Sequence, residues 1–338
     1  MKSGRNLETS LKKVLISAAI LFTILLISGF VCLSFGTVNF PLSKIFAAIF
    51  SSGETDSSIV NIIYDIRLPR VLTAMMVGAG LSVSGAAFQA LLRNPLAEPY
   101  ILGISSGGAF GAIFSLVIGV GFIGTQSFAF VGALVTFLLV YSFGRRFGQI
   151  DPTTIILAGV MIGAFFSALI LLMISFIDQS LRSALYWLIG NLSFANYQSV
   201  LTIFPILIIS SLVLVSFSQS YNLISINEEN AKQFGINTKL VKNLTYLFAS
   251  LLIGIIVSFV GIIGFVGLLI PHICRMIFGN DNKIVLPTSL LGGAIFLVWA
   301  DLISRILIPP AEIPIGAITA VLGAPMFIII LKQKKYEF

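Results

Sequence analysis

Reactive side chains are scarce in this chain of 338 residues, and none of them forms a recognisable catalytic or metal-binding group. The one histidine is His272 and the two cysteines are Cys32 and Cys274, all within apolar stretches. One histidine is too few for a metal site, and two cysteines so placed indicate neither a disulfide nor a metal centre. The sequence also offers no nucleophile, histidine and acid that would form a triad. We therefore predict no catalytic residue, no metal site and no cofactor.

Asp301 is the only acid that we place in the outer half of an apolar segment. Arg305 follows four residues later, which on a helix puts the two side chains on one face, where the arginine can neutralise the carboxylate. Carriers driven by an ion gradient usually need intramembrane acids or bases that bind the coupling ion. An acid already neutralised by its neighbour offers little for that purpose.

The longest polar interval between apolar runs extends over residues 219–243 and contains a helix start. Asn227 is a good N-cap, and Glu228 and Glu229 follow it in the first turn, where carboxylates suit the positive end of the helix dipole. The sequence therefore predicts a short helix that begins at Glu228.

The same interval predicts a turn and a second helix. Gly235 suits the left-handed conformation that commonly follows a helix C-terminus, and Thr238 would cap a helix that starts at Lys239. Ala231 and Gly235 lie four residues apart on one face, so the backbone of a partner could approach that face closely. Residues 219–243 are therefore either a solvated connecting loop or a docking element.

The composition identifies an integral membrane protein, because 57% of the residues are hydrophobic, 10% are charged and the mean hydropathy is +1.06. A span needs roughly 20 apolar residues, and each span should be a helix because lipid offers backbone groups no partner. We read the first apolar run as a retained span, since no small-residue cleavage site follows a short hydrophobic region. The predicted fold is all-α and polytopic, with ten segments at 14–35, 70–92, 99–120, 127–144, 154–177, 199–218, 244–260, 262–279, 284–308 and 314–331.

The distribution of basic residues predicts which side of the membrane each loop faces. Cytoplasmic loops are enriched in Lys and Arg, and a cytoplasmic N-terminus leaves outside only Lys44, Arg67, Arg70, Arg182 and Arg305. Both termini should therefore be cytoplasmic, and the net charge of +7 is mostly a signal of topology. Since no basic cluster is interleaved with aromatic residues, we expect a lipid bilayer and no nucleic acid as a partner.

Two prolines predict irregular backbone near the inner membrane face. Pro95 and Pro99 force extended geometry on Asn94 and Glu98, so the chain from Asn94 to Pro99 should be a non-helical connector. Irregular backbone at that depth is tolerated only against protein or water. The connector is therefore either an ordinary tight turn or an element that lines a pathway.

Other turns and seams follow from small residues. Gly103, Gly107 and Gly111 recur at intervals of four and predict a helix face that packs closely. A tight reversal should separate the seventh and eighth segments, at Gly261 or Gly264.

Two loops follow from polar stretches between the segments. Residues 36–66 should form the longest outside loop, with a surface helix at 41–50 and a polar tip at 53–58. The cytoplasmic loop at 145–154 should lead through Asp151-Pro152 into the fifth segment, whose helix Thr153 or Thr154 would cap.

A weak internal echo suggests an inverted repeat. Residues 90–95 (ALLRNP) resemble residues 267–271 (GLLIP), and five spans separate the two segments. An odd number of spans would place a second copy in the opposite orientation, as in many transporters.

Several motifs, in order along nearly the whole chain, resemble the permease subunit of bacterial ABC importers for iron–siderophore complexes, haem and cobalamin. The motifs are residues 67–70 (RLPR), 89–99 (QALLRNPLAEP), 102–105 (LGIS), 264–275 (GFVGLLIPHICR), Ala300-Asp301 with Arg305, 312–316 (EIPIG) and 322–325 (LGAP). The resemblance implies one ten-span permease domain over residues 1–338 that pairs with itself or with a homologous permease. It also implies an external substrate-binding protein and two ATP-binding subunits inside.

The resemblance also implies roles for individual residues. The coupling helices, which sit in a cleft of the ATPase, match residues 221–243, with Glu228, Glu229, Ala231 and Gly235. The outside arginines that pair with acidic residues on the binding protein match Arg67, Arg70 and Arg305. The constriction at the inner mouth of the pathway matches Asn94 and Leu96. A second gate matches the loop at 151–154, with Thr153 and Thr154, although Pro152 replaces the expected small polar residue.

The implied function is ATP-driven uptake through a multi-pass protein of the bacterial cytoplasmic membrane. The chain lacks the nucleotide-binding pattern GxxxxGK[ST], so it is not itself the ATPase and must borrow one. An ion-coupled secondary transporter is the main alternative, and a membrane enzyme is a further one. The cargo stays open among siderophores, haem and cobalamin, because all three share this scaffold.

Overall fold

The structure is a computed structural model that describes residues 2–50, 57–146, 149–175 and 181–333. The regular secondary structure of its described part is helical apart from one short antiparallel pairing of β1 (Arg145–Arg146) with β2 (Gln149–Ile150) and an isolated bridge between Ile308 and Ala311. The helices are α1 Lys2–Ser34, α2 Leu42–Phe50, α3 Ser57–Asn61, α4 Leu68–Leu91, α5 Ile104–Val117, α6 Phe122–Phe143, α7 Pro152–Ile174, α8 Leu181–Ile189, α9 Tyr197–Ser216, α10 Ser218–Ile226, α11 Glu228–Gln233, α12 Thr238–Val260, α13 Val266–Phe278, α14 Asn282–Ile306 and α15 Ile315–Gln333.

Seven helices of the described part are long and apolar enough to cross a membrane. These candidate spans lie in α1, in the continuous helix Ser58–Leu91, and in α6, α7, α9, α12 and α14. The other three predicted segments fall on the shorter apolar helices α5, α13 and α15. The prediction of a helical, polytopic membrane protein is thus confirmed, whereas ten crossings and cytoplasmic termini stay predictions. Following the predicted orientation, we call the end that holds Ser34 and Arg70 the outer end and the opposite end, with Asn227, the inner end.

The centre of the bundle is α4, which is buried over nearly its whole length. Its small residues allow this, because a Cβ added to Gly78 would lie 2.1 Å from the carbonyl oxygen of Gly293 in α14. A Cβ on Gly85 would lie 2.0 Å from the carbonyl oxygen of Gly267 in α13. In lipid, helix association rests on such close packing, since apolar surface gains little by leaving the hydrocarbon.

The predicted glycine seam of the third segment is confirmed for Gly107 and Gly111, which join α5 to α6, whereas Gly103 lies before α5 and meets α7. A Cβ on Gly107 would clash with Thr136, and one on Gly111 would lie 2.1 Å from the carbonyl oxygen of Phe128. Gly103 has a φ of +68° and precedes α5, so the α-helix begins at Ile104 and not at residue 99 as predicted. A single 3₁₀ turn, Pro99–Leu102, occupies the difference.

One other boundary differs from the sequence prediction. The surface helix at 41–50 is confirmed as α2, but the end of the predicted loop is helical from Ser57, through the π-helical turn Ile62–Arg67, into α4. The predicted polar tip at 53–58 lies mostly outside the described residues. The reversal after α12 occurs at Gly261, which has a φ of +71°, as predicted.

The internal echo does not mark equivalent structural positions. Pro95 lies in the non-helical connector after α4, whereas Pro271 lies inside α13. The inverted repeat therefore stays a prediction without support from these two motifs.

Candidate functional site

The connector between α4 and α5 is non-helical up to the 3₁₀ turn, as predicted, and local hydrogen bonds hold it. Arg93 has a φ of +51°, and the Asn94 side chain accepts a bond of 2.9 Å from the amide of Leu96. The side chain of Leu96 is 48% exposed. Asn94 and Leu96 thus form a compact Asx turn with an apolar side chain at its tip.

The connector enters the helix bundle. A Cβ on Gly103 would meet Gly159 and Gly163, which lie two to three turns into α7. With a rise of about 1.5 Å per residue, this is roughly 10–16 Å from the inner start of that helix. Irregular backbone at such a depth needs internal partners.

Those partners come from the reversal between α12 and α13. The Glu98 carboxylate accepts a bond of 2.8 Å from the amide of Phe265, the left-handed residue that precedes α13. The Tyr100 hydroxyl exchanges hydrogen bonds of 3.1 Å with the backbone of Ile263. Two irregular segments, one before α5 and one before α13, therefore satisfy each other inside the protein.

A polar clamp between α4 and α13, which the sequence analysis missed, supports this junction. Pro271 cannot donate a hydrogen bond to the carbonyl of Gly267, one turn earlier in α13. The Gln89 side-chain amide donates to that carbonyl at 3.3 Å and to the next at 3.2 Å, while its oxygen accepts from Arg275. The signal for it was a proline within a helical apolar run, which leaves a carbonyl that needs a donor from elsewhere.

The predicted second gate is the N-terminus of α7. Asp151 caps this helix by accepting bonds of 2.7 Å from the amide and 2.6 Å from the hydroxyl of Thr154. The cap is therefore the aspartate and not Thr153 or Thr154, because a carboxylate accepts both bonds at once. Thr153 is exposed at the inner end.

The predicted coupling segment forms a helix, a turn and a helix. Asn227 caps α11 by accepting from the amides of Glu229 and Asn230. Gly235 has a φ of +82°, so the left-handed turn is confirmed. Asn237, and not Thr238, caps α12, since its side chain accepts from the amide of Leu240 at 3.0 Å.

Glu228 joins α11 to α12. Its carboxylate lies 2.7 Å from Lys242 and 3.9 Å from Lys232. Burial alone would raise the pKa of Glu228, but the hydrogen bond and the charge of Lys242 outweigh it and hold the pKa below its usual value. Glu228 thus orients the coupling segment from within.

Ala231 does not present the contact face that the sequence suggested. It is fully buried, because the chain folds back over that side of α11. The exposed face holds Glu229 and Gly235, together with Phe234, whose side chain is 73% exposed. A phenylalanine inside a polar interval was the overlooked signal.

The arginines at the outer end are buried in a network of internal partners. Arg70 bonds to Asp301 at 2.8 Å and to Glu312 at 2.9 and 3.0 Å. Arg305 lies 3.0 Å from the second Asp301 oxygen, so the predicted helical pair is present. The hydroxyl of Ser193 donates to Glu312 at 2.6 Å.

Arg67 binds the same region through hydrogen bonds to backbone carbonyls. Its guanidinium donates to Leu33 at 2.6 Å and to Ser34 and Val38, and it lies 4.7 Å from the ring centroid of Phe40. All three arginines are buried, which gives them a structural role in tying the ends of α1, α4 and α14 together. Docking of an external protein by these arginines stays a prediction, and it would require these bonds to open.

The helical fold, the two irregular segments before α5 and α13, and the exposed inner segment agree with one family of membrane transporters. The model of the FecCD transport family matches residues 24–333. The chain belongs to this family. It is therefore the permease component of an ABC importer of the FecCD type, located in the membrane as a multi-pass protein.

Relatives of this FecCD permease carry different names. It is 38% identical to the uncharacterised ABC transporter permease YvrB of Bacillus subtilis, over 92% of this chain and 91% of that protein. It is also 38% identical to the vitamin B12 import permease BtuC of Salmonella typhi (80% and 83%). The molybdate import permease MolB of Haemophilus influenzae is 34% identical (92% and 94%).

A solved structure matches the fold of this FecCD permease closely. It is described as an inward-facing conformation of a metal-chelate type ABC transporter. The TM-score is 0.83 at 31% identity, over 95% of this chain and all of that chain. The helix order and the packing described above are thus those of a known transporter class.

Proposed function

We propose that this FecCD permease forms the pathway of an ATP-driven importer and that separate subunits, bound at its inner end, hydrolyse the ATP. The observation that carries this proposal is the exposed face of α11 and the following turn. Phe234 stands there among polar residues, and exposed aromatic side chains of this kind are typical of protein contacts. Glu228 and Ala231 hold that face from behind.

The proposed pathway passes the junction between the connector and α13. Asn94 and Leu96 would form its inner gate, and Thr153 and Thr154 a second gate. Support comes from the exposed tip at Leu96 and from the irregular backbone inside the bundle, which is tolerated where it lines a cavity or packs on protein.

The proposed assembly contains two permeases, two ATP-binding subunits and an external binding protein. The permeases are two copies of this chain or one copy with a homologous permease. The binding protein would meet the outer end near Arg67, Arg70 and Arg305. Because these side chains are buried, shape complementarity and the exposed rim of the outer loops would contribute to the contact as well.

The proposed cargo is an iron chelate, either a siderophore complex or haem, or cobalamin. The apolar, small-residue helix faces suit a bulky molecule that is passed without tight binding.

The test is reconstitution of the permease with the ATP-binding subunits from the same source, followed by uptake into vesicles. Cobalamin, haem and a ferric hydroxamate siderophore are supplied separately, with the external binding protein. We expect uptake of one of them that stops without ATP. Phe234→Ser should prevent co-purification of the ATPase, whereas Lys12→Gln, at an exposed position of α1, should not. Uptake that persists without any ATPase would show an ion-coupled carrier instead.

A further inference from the structure

A groove of about 310 Å³ lies at the inner end, between α1 and the junction of α13 with α14. Its α1 wall consists of Lys13, Ile16, Ser17 and Ile20, which share one helix face because they are three or four residues apart. The opposite wall is the last turn of α13 and the first turn of α14. The proposed transport function uses none of these residues.

The rim of the groove is positively charged. The candidate span of α1 begins at Lys12, so the exposed Lys13 lies where the hydrocarbon of the membrane gives way to lipid headgroups. Lys283, the second residue of α14, adds a positive charge at the same end, one residue before Ile284 of the opposite wall. Neither lysine has an ion pair among the described residues. Both charges are therefore available to an anion at the membrane surface.

The acid closest to this rim along α14 already has partners inside the protein. Asp281 caps α14, and its carboxylate accepts bonds of 2.9 Å from the amide of Lys283 and 2.7 Å from the side chain of Asn222 in α10. It does not line the groove. Within the described part, the lining of the groove thus contains one cation and no acid.

Below the rim the groove is apolar. Ser17 is buried, and its hydroxyl donates within α1 to the carbonyl of Lys13 at 2.7 Å, so it requires no polar ligand. Ile16 and Ile20 lie three and seven residues beyond Lys13, about 4.5 and 10 Å deeper along the helix. Ile277 on the opposite wall is 67% exposed, so the groove is open at the surface of the chain. A matching ligand combines an anionic group at the rim with a hydrocarbon chain below it.

We propose that this groove binds one anionic phospholipid of the inner leaflet, with its phosphate at Lys13 and an acyl chain along Ile16 and Ile20. Basic pockets between transmembrane helices on the cytoplasmic side bind anionic lipid headgroups. Here the lysine and the apolar walls lie at the depths at which the bilayer itself holds the headgroup and the chain. The bound lipid joins α1 to the turn between α13 and α14. The inference goes beyond the proposed function, which assigns no lipid.

Neighbouring residues of α1 provide matched controls. Lys12 and Lys13 are both exposed lysines at the membrane surface, but only Lys13 lines the groove. Lys12→Gln and Lys13→Gln remove the same charge from the same membrane face, so a difference between them reports the groove. Ser17→Phe places a ring in the groove, whereas Ala19→Phe places the same ring at an exposed position outside it.

The experiment titrates phosphatidylglycerol into the full-length permease, purified in detergent and washed free of lipid, while native mass spectrometry counts the lipids bound to each chain. We expect one phosphatidylglycerol to bind saturably. Lys13→Gln should weaken this step about fivefold, the effect of one basic residue close to an anionic lipid surface. Lys12→Gln should bind as tightly as the wild type. Ser17→Phe should lose the saturable step, and Ala19→Phe should keep it.

Phosphatidylcholine and inorganic phosphate test the two parts of the ligand separately. Equal affinity for phosphatidylcholine would overturn the assignment of an anionic lipid, and displacement of phosphatidylglycerol by inorganic phosphate would show an anion site that needs no acyl chain. Equal weakening in Lys12→Gln and Lys13→Gln would reduce the effect to surface charge and overturn the groove as a site. These results leave ATP-dependent uptake untouched, so the proposed function is tested separately.

Discussion

The arginines at the outer end show how burial changes the meaning of a charged residue. Arg70 and Arg305 share the carboxylate of Asp301, and Arg70 also holds Glu312. Breaking a buried pair by removing one partner is costly because it leaves an uncompensated charge. The network therefore holds the outer ends of α4 and α14 in register.

We predict that Arg70→Gln destabilises the permease by about 3–5 kcal/mol, the range for a broken buried ion pair. The loss should appear as a lower midpoint of thermal unfolding in detergent. Lys44→Gln is the matched control, because Lys44 is exposed at the outer end and has no side-chain partner in the described part. An unchanged midpoint in Arg70→Gln would indicate instead that this guanidinium serves a partner.

Glu228 gives a pH-dependent prediction at the inner end. Its pKa is depressed in the folded protein, so its contribution to stability is present above its unfolded value of about 4.3 and is lost as the pH falls through the folded value. Glu228→Gln should remove that contribution at neutral pH and speed hydrogen exchange in α11. Glu229→Gln, one residue on and exposed, should not. Equal exchange rates in the two variants would contradict the tie between α11 and α12.

In the predicted coupling segment, one glycine holds the turn between α11 and α12 in the left-handed conformation. Nothing lies within 4 Å of a Cβ added to Gly235, so a side chain there has room, but the φ of +82° disfavours most residues. Asn adopts this conformation more readily than branched or bulky residues.

We predict that Gly235→Leu loses permease-stimulated ATP hydrolysis while still inserting in the membrane, because the turn that presents Phe234 is disturbed. Gly235→Asn should retain most of the stimulation, since it tolerates the left-handed turn. ATPase rates of the reconstituted complex provide the measurement. Full stimulation in Gly235→Leu would remove this turn from the coupling mechanism.

The connector gives a second prediction at the scale of an element. In a background of Cys32→Ser and Cys274→Ala, the variant Leu96→Cys should react with a thiol reagent at a rate that changes between nucleotide-free and ATP-trapped complexes. Lys12→Cys, at an exposed position of α1, should react at the same rate in both. If the thiol of Leu96→Cys reacts at the same rate in the nucleotide-free and ATP-trapped complexes, the connector is not the inner gate.

At the scale of the whole molecule, the proposed docking of a binding protein competes with the structural role of the outer arginines. Charge pairs at the rim of an interface mainly speed association and lose effect as salt rises. If the arginines stay buried in the complex, association with the binding protein should show the same dependence on salt in the charge-removing variant Arg67→Gln as in the wild-type permease. A flatter dependence in Arg67→Gln would establish docking through that side chain.

Much of the architecture follows from local patterns. Lipid leaves backbone groups no partner outside their own helix, so apolar length alone predicted the helices. Asn227 and Gly235 act within a few residues of themselves, and their roles as cap and turn were therefore readable from the chain. The motifs that carry the family resemblance are likewise short and ordered.

Contacts between distant segments settled the rest. Arg70 and Glu312 are 242 residues apart, and Gln89 and Arg275 are 186 apart, so no local pattern reports that they meet. Ala231 and the outer arginines looked available to partners, but the fold buries them, because helix packing in three dimensions decides which side of an element faces inward. The groove at Lys13 arises in the same way, from α1, α13 and α14 meeting at the inner end of the bundle.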